Sequence, residues 1–555
     1  MTQHTLTGAP IHPAAKTYAR DYQDGKLSRR EFMARTTALG VTAAGAYALI
    51  GSAQPAQAAA HAQQGGTLRM QCDVRPLKDP RTFDWSQMGY VANAWLEHLV
   101  EYNNDGSFAP WLLESWEVNE DATVYTLNVR QGVTWNDGTP FTAEDVAFNI
   151  ARWCERDVEG NSMAGRFAIL VDDETGVAIE GGIEVVDEFT VRLNLPAPDI
   201  TLIAGMSDYP AAIVPQDFVA EDILTNPKGT GPYLPAEHTV GVKAVLVRNE
   251  GHDWWGYAEG KGAYLDSIEL IDYGTDPVAW LAAAEADEID VIYENVGEFV
   301  DIFDAIGWTR SEVVTAATIV VRPNQLAEVD GMQPYADKRV RQAIAMAVDN
   351  QVCLDLGYSS RGSVAQNHHV APVHPEYAEV DRLPYDPARA MELLEEAGMA
   401  DFEFEIVSID DDWRRNTTDA VAAQLRDAGF NVKRTVLPGS TFWNDWTNYP
   451  FSSTNWNHRP LGVQILSLAY RSGEAWNEFG FANEEFDALL AQANATADAD
   501  ARREIMAQLQ AIIVDEGVTI QPYWRSLYRH AKPEVVGTEM HIGYLPQMYK
   551  WGFAA

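Results

Sequence analysis

The stretch TFWNDWTNYPFSSTNWNHRPLG, Thr441 to Gly462, ends in a dense polar and aromatic run, Asn455-Trp456-Asn457-His458-Arg459-Pro460. An arginine is the side chain best suited to a carboxylate, because its planar fork makes two charge-assisted hydrogen bonds at once. Trp456 would supply an apolar or cation–π wall beside it. Asn457, His458 and the upstream Trp443 complete this candidate binding set. A second cluster, Asn367-His368-His369 with His374 downstream, has the residue types that ligate nickel or a metal chelate. Adjacent side chains of an extended segment point to opposite faces, which argues against a joint metal role and leaves a metal-carrier reading as the alternative. Bond-breaking chemistry has no counterpart. There is no G-x-S-x-G elbow, no H-E-x-x-H, no S-x-x-K set and no cysteine-based cofactor motif. The expectation is binding without catalysis, with no cofactor and no resident metal.

These residues need a scaffold, and the sequence indicates one of mixed strands and helices. Val124–Val129 alternates with Tyr125, Leu127 and Val129 on one face, the pattern of a half-buried strand. VTWNDGTPFTAEDVAFNIARW follows, with turn chemistry at Asn136-Asp137-Gly138. Thr142 and Asp145 then form a capping-box pair ahead of the stripe Val146, Ile150 and Trp153. Further strands are expected over 182–195, 242–247 and 265–270, with a helix around Val278–Ala286. From Asp337, Val340, Ile344, Val348 and Val352 recur every four residues. Asp386-Pro387 opens another helix that Gly398 closes. The strand Phe404–Val407, the helix Asp419–Ala428 and the strand Asn431–Leu437 give β-α-β order, hence a sheet covered by helices. Asp410-Asp411-Asp412 and Asp172-Asp173-Glu174 read as solvated turns, lacking the oxygen spacing of a calcium loop.

The chain has 555 residues with 40 Lys/Arg against 81 Asp/Glu, a net charge of −41. Such a surface repels nucleic acid and anionic lipid and favours a soluble monomer. Three cysteines, Cys72, Cys154 and Cys353, allow at most one disulfide and have no zinc-ligand spacing. Ahead of the charge-free run Thr36–Ala60 stands Ser28-Arg29-Arg30-Glu31-Phe32-Met33, which resembles the twin-arginine export signal of bacteria. Ala56-Gln57-Ala58 fits an A-x-A cleavage pattern, so residues 1–58 would be removed. The run is rich in Ala, Gly and Thr rather than Leu and Ile, which disfavours a membrane anchor. A soluble protein exported to the periplasm, without membrane insertion, is expected.

Several segments in order give the chain a resemblance to the family-5 extracellular solute-binding proteins, the peptide, opine and nickel type that serves ABC importers. They are Trp111–Val118, WNDGTPFTAEDVAF (135–148), KGTGPY (228–233), RNEGHDWWG (248–256), KRVRQAIAMAVDN (338–350) and YDPARAMELLEEAG (385–398). The resemblance implies an α/β, two-lobed periplasmic-binding-protein fold of the large cluster C type, with an extra subdomain in the first lobe. Residues 66–316 and 522–555 would form the first lobe, with the subdomain near 103–227, and residues 317–521 the second. Crossings are expected near Thr315–Asn324 and Ile520–Leu527. A small-molecule or peptide ligand would be held between the lobes, and the closed form would be read by the importer's membrane permease subunits. Closing such a hinge from 1:99 to 99:1 takes about 5.5 kcal/mol of differential affinity.

In peptide-binding relatives an acidic tract follows a tryptophan where this chain has Trp456, and an aspartate there takes the ligand's amino terminus. Here Asn457, His458 and Arg459 replace it. The expected ligand is therefore peptide-like or another small zwitterionic or anionic solute. The resemblance also brings forward Tyr90, Asn93 and Trp95 after the first strand, Tyr293-Glu294 near the cleft edge, and His369 in a loop entering the cleft.

Overall fold

The computed structural model describes residues 11–52, 62–496 and 498–555. The A-x-A triplet at 56–58 lies outside the described residues. Among those described, an eleven-stranded sheet runs through the molecule. Its middle is the antiparallel pair formed by the long strand Thr309–Pro323 and the strand Tyr523–Ala531. On one side lie Val291–Ile292, Thr67–Gln71, Ser267–Ile271, Lys243–Arg248 and, at the margin, Tyr233–Thr239. On the other lie Phe451–Trp456, Glu403–Ile409 and the opposite margin, Asn431–Leu437, and the eleventh strand, Gly362–Val364, pairs with Tyr523–Ala531 off this path. The register of the central pair shifts between Val314 and Thr318. There Thr315 donates its hydroxyl to the Arg525 carbonyl (2.7 Å) and accepts from the Ala317 amide (2.9 Å). The orphaned Ala316 amide donates to Nδ1 of His458 (3.1 Å).

The margin strand Tyr233–Thr239 carries Pro235 and a second register shift beside it. Asn431–Leu437 carries Lys433 and Arg434, paired with Glu405 and Asp419. A separate four-stranded antiparallel sheet, Leu113–Val118, Val124–Val129, Thr190–Asn194 and Ile183–Asp187, falls within 103–227. Tyr125, Leu127 and Val129 all face its core. The helix Ala143–Trp153 starts on the Thr142–Asp145 capping box, burying Val146, Ile150 and Trp153. KGTGPY owes its glycines to close packing, since a Cβ on Gly229 would lie 2.0 Å from the Trp95 carbonyl oxygen.

Two expectations are corrected by side-chain caps. The four-residue periodicity from Val340 to Val352 is broken into two helices, Lys338–Met346 and Asn350–Tyr358, because Asp349 accepts from the Gln351 amide and starts a new one. Asp410-Asp411-Asp412 is not a solvated turn throughout. Asp411 accepts from the Arg414 amide, and the helix it caps runs Asp412–Ala428, seven residues earlier than expected.

The amino-terminal segment forms three short helices, Pro13–Gln23, Arg29–Ala38 and Ala43–Leu49. Ser28 and Glu31 make a capping box at the arginine pair. No helix among the described residues is long and apolar enough to cross a membrane. Cys72, Cys154 and Cys353 are all free and buried.

Glu97 is 5 % exposed, and three indoles donate to its carboxylate: Trp111 (2.9 Å), Trp254 (3.1 Å) and Trp255 (2.9 Å). Burial raises its pKa, and the indole donors pull against that rise. Each buried donor left without an acceptor costs about 1–3 kcal/mol. Glu97→Ala should therefore lower unfolding stability by at least about 3 kcal/mol, read as a fall in the urea midpoint.

Candidate functional site

A small cavity, open to solvent, is lined by Asp84, Trp85, Tyr209, Trp446, Asn455, Trp456, Asn457, Arg459 and Trp476. Asp84, Trp85 and Tyr209 come from segments beside the Thr67–Gln71 half, and the others from in and after the strand Phe451–Trp456 and the loops around it. The walls are aromatic. The Trp85 and Trp443 rings lie 3.9 Å apart, and Trp456 stands edge-on to Trp446 and Trp476 at 6.3 and 5.8 Å. The guanidiniums of Arg75 and Arg414 approach the Trp443 ring to 5.9 and 5.7 Å.

Two buried guanidiniums share one carboxylate in this wall. Arg166 donates to Oδ2 of Asp208 from Nε (3.0 Å) and Nη2 (2.6 Å). The Nε of Arg459 lies 2.8 Å from the same oxygen. Burial alone would raise the Asp208 carboxyl, but Arg459 and Arg166 hold it below the usual carboxylate range. Both guanidiniums also face Trp476, at 5.1 and 5.9 Å. Arg459 further donates through Nη1 to the Asn457 and His458 carbonyls (3.2 Å each).

Trp456 is fixed from behind. Its indole donates to Glu478 (2.8 Å), which also accepts from Thr454 and from Arg322 (2.9 Å), an ion pair with both side chains wholly buried. Burying charges this deeply requires full pairing, and the network meets it. Trp456 therefore presents its ring rather than its N–H to the cavity.

The remaining candidates fall in several places. Asn457 lines the cavity and donates to Ser86 (3.3 Å), which is also bonded to the Tyr293 hydroxyl (2.8 Å). Tyr293 thus stands behind Ser86, and Tyr90 behind Tyr293, with its hydroxyl accepting from Arg529 (2.7 Å). Trp443 does not line the cavity but packs on Trp85, which does. His458 is bonded to Ala316 at the register shift and to the Tyr102 hydroxyl (3.3 Å). His369 is buried, bonded to the Tyr470 hydroxyl (3.0 Å) and edge-on to Trp456 at 5.6 Å. Its neighbour His368 faces Gln510 and Tyr377. The pair thus diverges, and the described residues include no group of three or more His, Cys, Asp or Glu placed to hold a metal. Asn93 and Trp95 lie away from the cavity. Asn93 lines a separate space beside Glu97, Trp111 and Tyr549, and Trp95 is buried under Gly229.

Sequence reasoning missed Asp84, Trp85, Tyr209, Trp446 and Trp476, and with them Asp208 and Arg166. Trp85 within TFDWSQMGY and Asp208-Tyr209 within GMSDYP carry the needed residue types but no spacing that ties them to Arg459.

His374 supports this wall, with Nδ1 accepting from the Ala371 amide (3.0 Å) and Nε2 bonded to the Arg459 carbonyl (3.1 Å). Burial pushes its pKa down to about 4. A depressed histidine is neutral in the fold, so the unfolded chain binds the extra proton between pH 6.5 and 4. Stability is therefore full above about 6.5 and falls through that window, by about 3 kcal/mol for this group. His374→Gln should flatten the fall of thermal or urea stability between pH 6.5 and 4.

Comparison with known proteins bears on this geometry. The model of the family described as bacterial extracellular solute-binding proteins, family 5 Middle, matches residues 107–477. A probable peptide ABC transporter periplasmic-binding protein of Sinorhizobium fredii is 25 % identical over 511 residues, covering 85 % of this chain and 90 % of its own. Among solved structures, the Helicobacter pylori binding protein DppA in complex with the peptide STSA superposes with a TM-score of 0.76 at 19 % identity. That match covers 89 % of this chain and 99 % of the other. The Agrobacterium tumefaciens protein AgaA in complex with agropinic acid does so at 0.76 and 22 % identity, covering 88 % and 98 %.

Proposed function

The chain belongs to family 5 of the bacterial extracellular solute-binding proteins, the solute-capturing components of ABC importers, and from that premise we propose that it takes a small zwitterionic or anionic solute of peptide-like chemistry into the tryptophan-walled cavity. The observation that carries this reading is the buried charge count around Asp208. Two guanidiniums, Arg166 and Arg459, share a single carboxylate. Buried charges are stable only when paired, and Arg459, which lines the cavity, has to share Asp208 with Arg166, leaving its guanidinium able to take a guest's carboxylate. Asp84, in the same lining, is ion-paired with Lys78 at 2.9 Å.

In this reading the lobes divide at 316/317 and 521/522, and closure is the signal. Contacts across the cleft include Trp85 on Trp443, Asn457 to Ser86 and Arg459 to Asp208. A guest touching both walls favours the closed form by its differential affinity, and the permease distinguishes loaded from empty by shape. No step of this cycle needs a catalyst or a cofactor. Residues 1–58 act as a twin-arginine leader, removed after Ala58, and the delivered receptor works as a periplasmic monomer.

Native mass spectrometry of protein purified without denaturation should show a co-purified guest, and tryptophan fluorescence should report its rebinding. Removing a charge partner at a buried contact costs about 2–5 kcal/mol. Arg459→Ala should therefore weaken that guest by about 30-fold or more. Unchanged affinity would remove Arg459 from the site, and turnover of the guest would overturn a binding-only role.

A further inference from the structure

The helix Arg29–Ala38 is seated in a seam that both lobes build. On the side of the first lobe, the Phe108 amide donates to the Thr37 hydroxyl (2.9 Å) and the Trp116 indole donates to the Ala38 carbonyl (3.1 Å). Arg30 donates to the Asn104 carbonyl. On the side of the second lobe, Arg35 donates to the Pro375 carbonyl (2.6 Å), which also accepts from Arg503 (3.2 Å). Arg35 is electrostatically coupled to Glu376, a wholly buried carboxylate with one oxygen lacking a hydrogen-bond partner. Thr36 and Thr37 are completely buried, while Phe32 and Met33 pack into the segment's own cluster with Tyr18 and Tyr47. The fit is close. Gly40 turns the chain away at φ +83°, and a Cβ there would stand 2.2 Å from the Trp116 carbonyl oxygen.

We propose that the seam between the lobes is a receptor surface for this chain's own leader, and that the docked helix straps the two lobes together until the leader is removed. The helix lies beside the hinge rather than in the cavity. Arg30 is charge-coupled to His458, the side chain that holds the Ala316 amide where the crossing strands lose register. Opening would shear the Pro375 contact against the Phe108 and Trp116 contacts, because one rigid ten-residue helix carries all three. The strap also engages the arginine pair itself, Arg29 on the Tyr47 hydroxyl and Arg30 on Asn104. A folded precursor would then present a closed receptor whose export signal is partly withdrawn, and cleavage would free both the hinge and the seam. The timing of this release rests on reading residues 1–58 as a removable leader. An exported protein whose amino terminus is not Ala59 would overturn that reading and leave the docking itself standing.

The test uses the full chain with a site-specific protease sequence inserted between residues 54 and 58, so that one folded preparation is compared before and after the cut. The cut leader fragment should co-elute with the body on gel filtration. The Phe108 amide should be protected from hydrogen exchange by about 100-fold relative to the body stripped of its fragment. Stripping should also increase the radius of gyration in the absence of any solute. Gly40→Leu and, as a gentler variant, Arg35→Gln should release the fragment on cutting and lose the Phe108 protection in the uncut chain. Immediate separation of the wild-type fragment, or Phe108 exchange that is unchanged by stripping, would overturn the docking. An unchanged radius of gyration on stripping would overturn the strap.

Discussion

The backbone ladder between Thr309–Pro323 and Tyr523–Ala531 is the constraint on which the rest of the molecule depends. It is continuous from Thr309 to Val314 and again at Thr318, and it fails in between. An unpaired buried amide costs as much as a lost hydrogen bond, so each group freed there has to be housed elsewhere. Thr315 bonds back to Arg525, Ala317 to Thr315, and Ala316 to His458. The sheet therefore stays one hydrogen-bonded body across this break, its freed groups held by side chains. His458 is committed to this joint by Nδ1, which ties the joint through the chain to Arg459, its immediate neighbour at the cavity wall.

The electrostatics of the cavity are local. A net charge of −41 spread over the chain is screened beyond about 10 Å at ordinary ionic strength, so it says little about what binds inside. What matters is that Arg459, which faces the Tyr209 and Trp476 rings, shares Asp208 with Arg166 where screening is weak. Indoles suit such a site because they exclude water and tolerate a cation at their faces without contributing a full charge. Glu478 keeps Trp456 in place and is itself neutralised by Arg322, so the aromatic wall adds no further charge to the cavity.

Local signals were legible where one segment contains its own reason. The Thr142–Asp145 cap and the alternating Val124–Val129 strand are both visible in short windows and stand in the structure. Windows failed where a single polar side chain overrides a periodic pattern, as Asp349 does between Val348 and Val352. At the site, Trp456, Asn457 and Arg459 were recognisable because they are neighbours and chemically unusual. Asp208, Arg166 and Trp85 were not, since what gives them meaning is proximity to residues hundreds of positions away. Residue type shows that Arg459 wants a carboxylate. Only the fold reveals that Asp208 already fills half of that demand.

Both margins of the eleven-stranded sheet are blunted, one by Pro235 and the bulge beside it, the other by Lys433 and Arg434. A proline cannot donate to a neighbouring strand, a bulge twists an edge away, and charged side chains at an edge must be desolvated before a strand can pair there. An extended guest is thereby denied the cheapest mode of capture, in which it would simply prolong a sheet edge in any register.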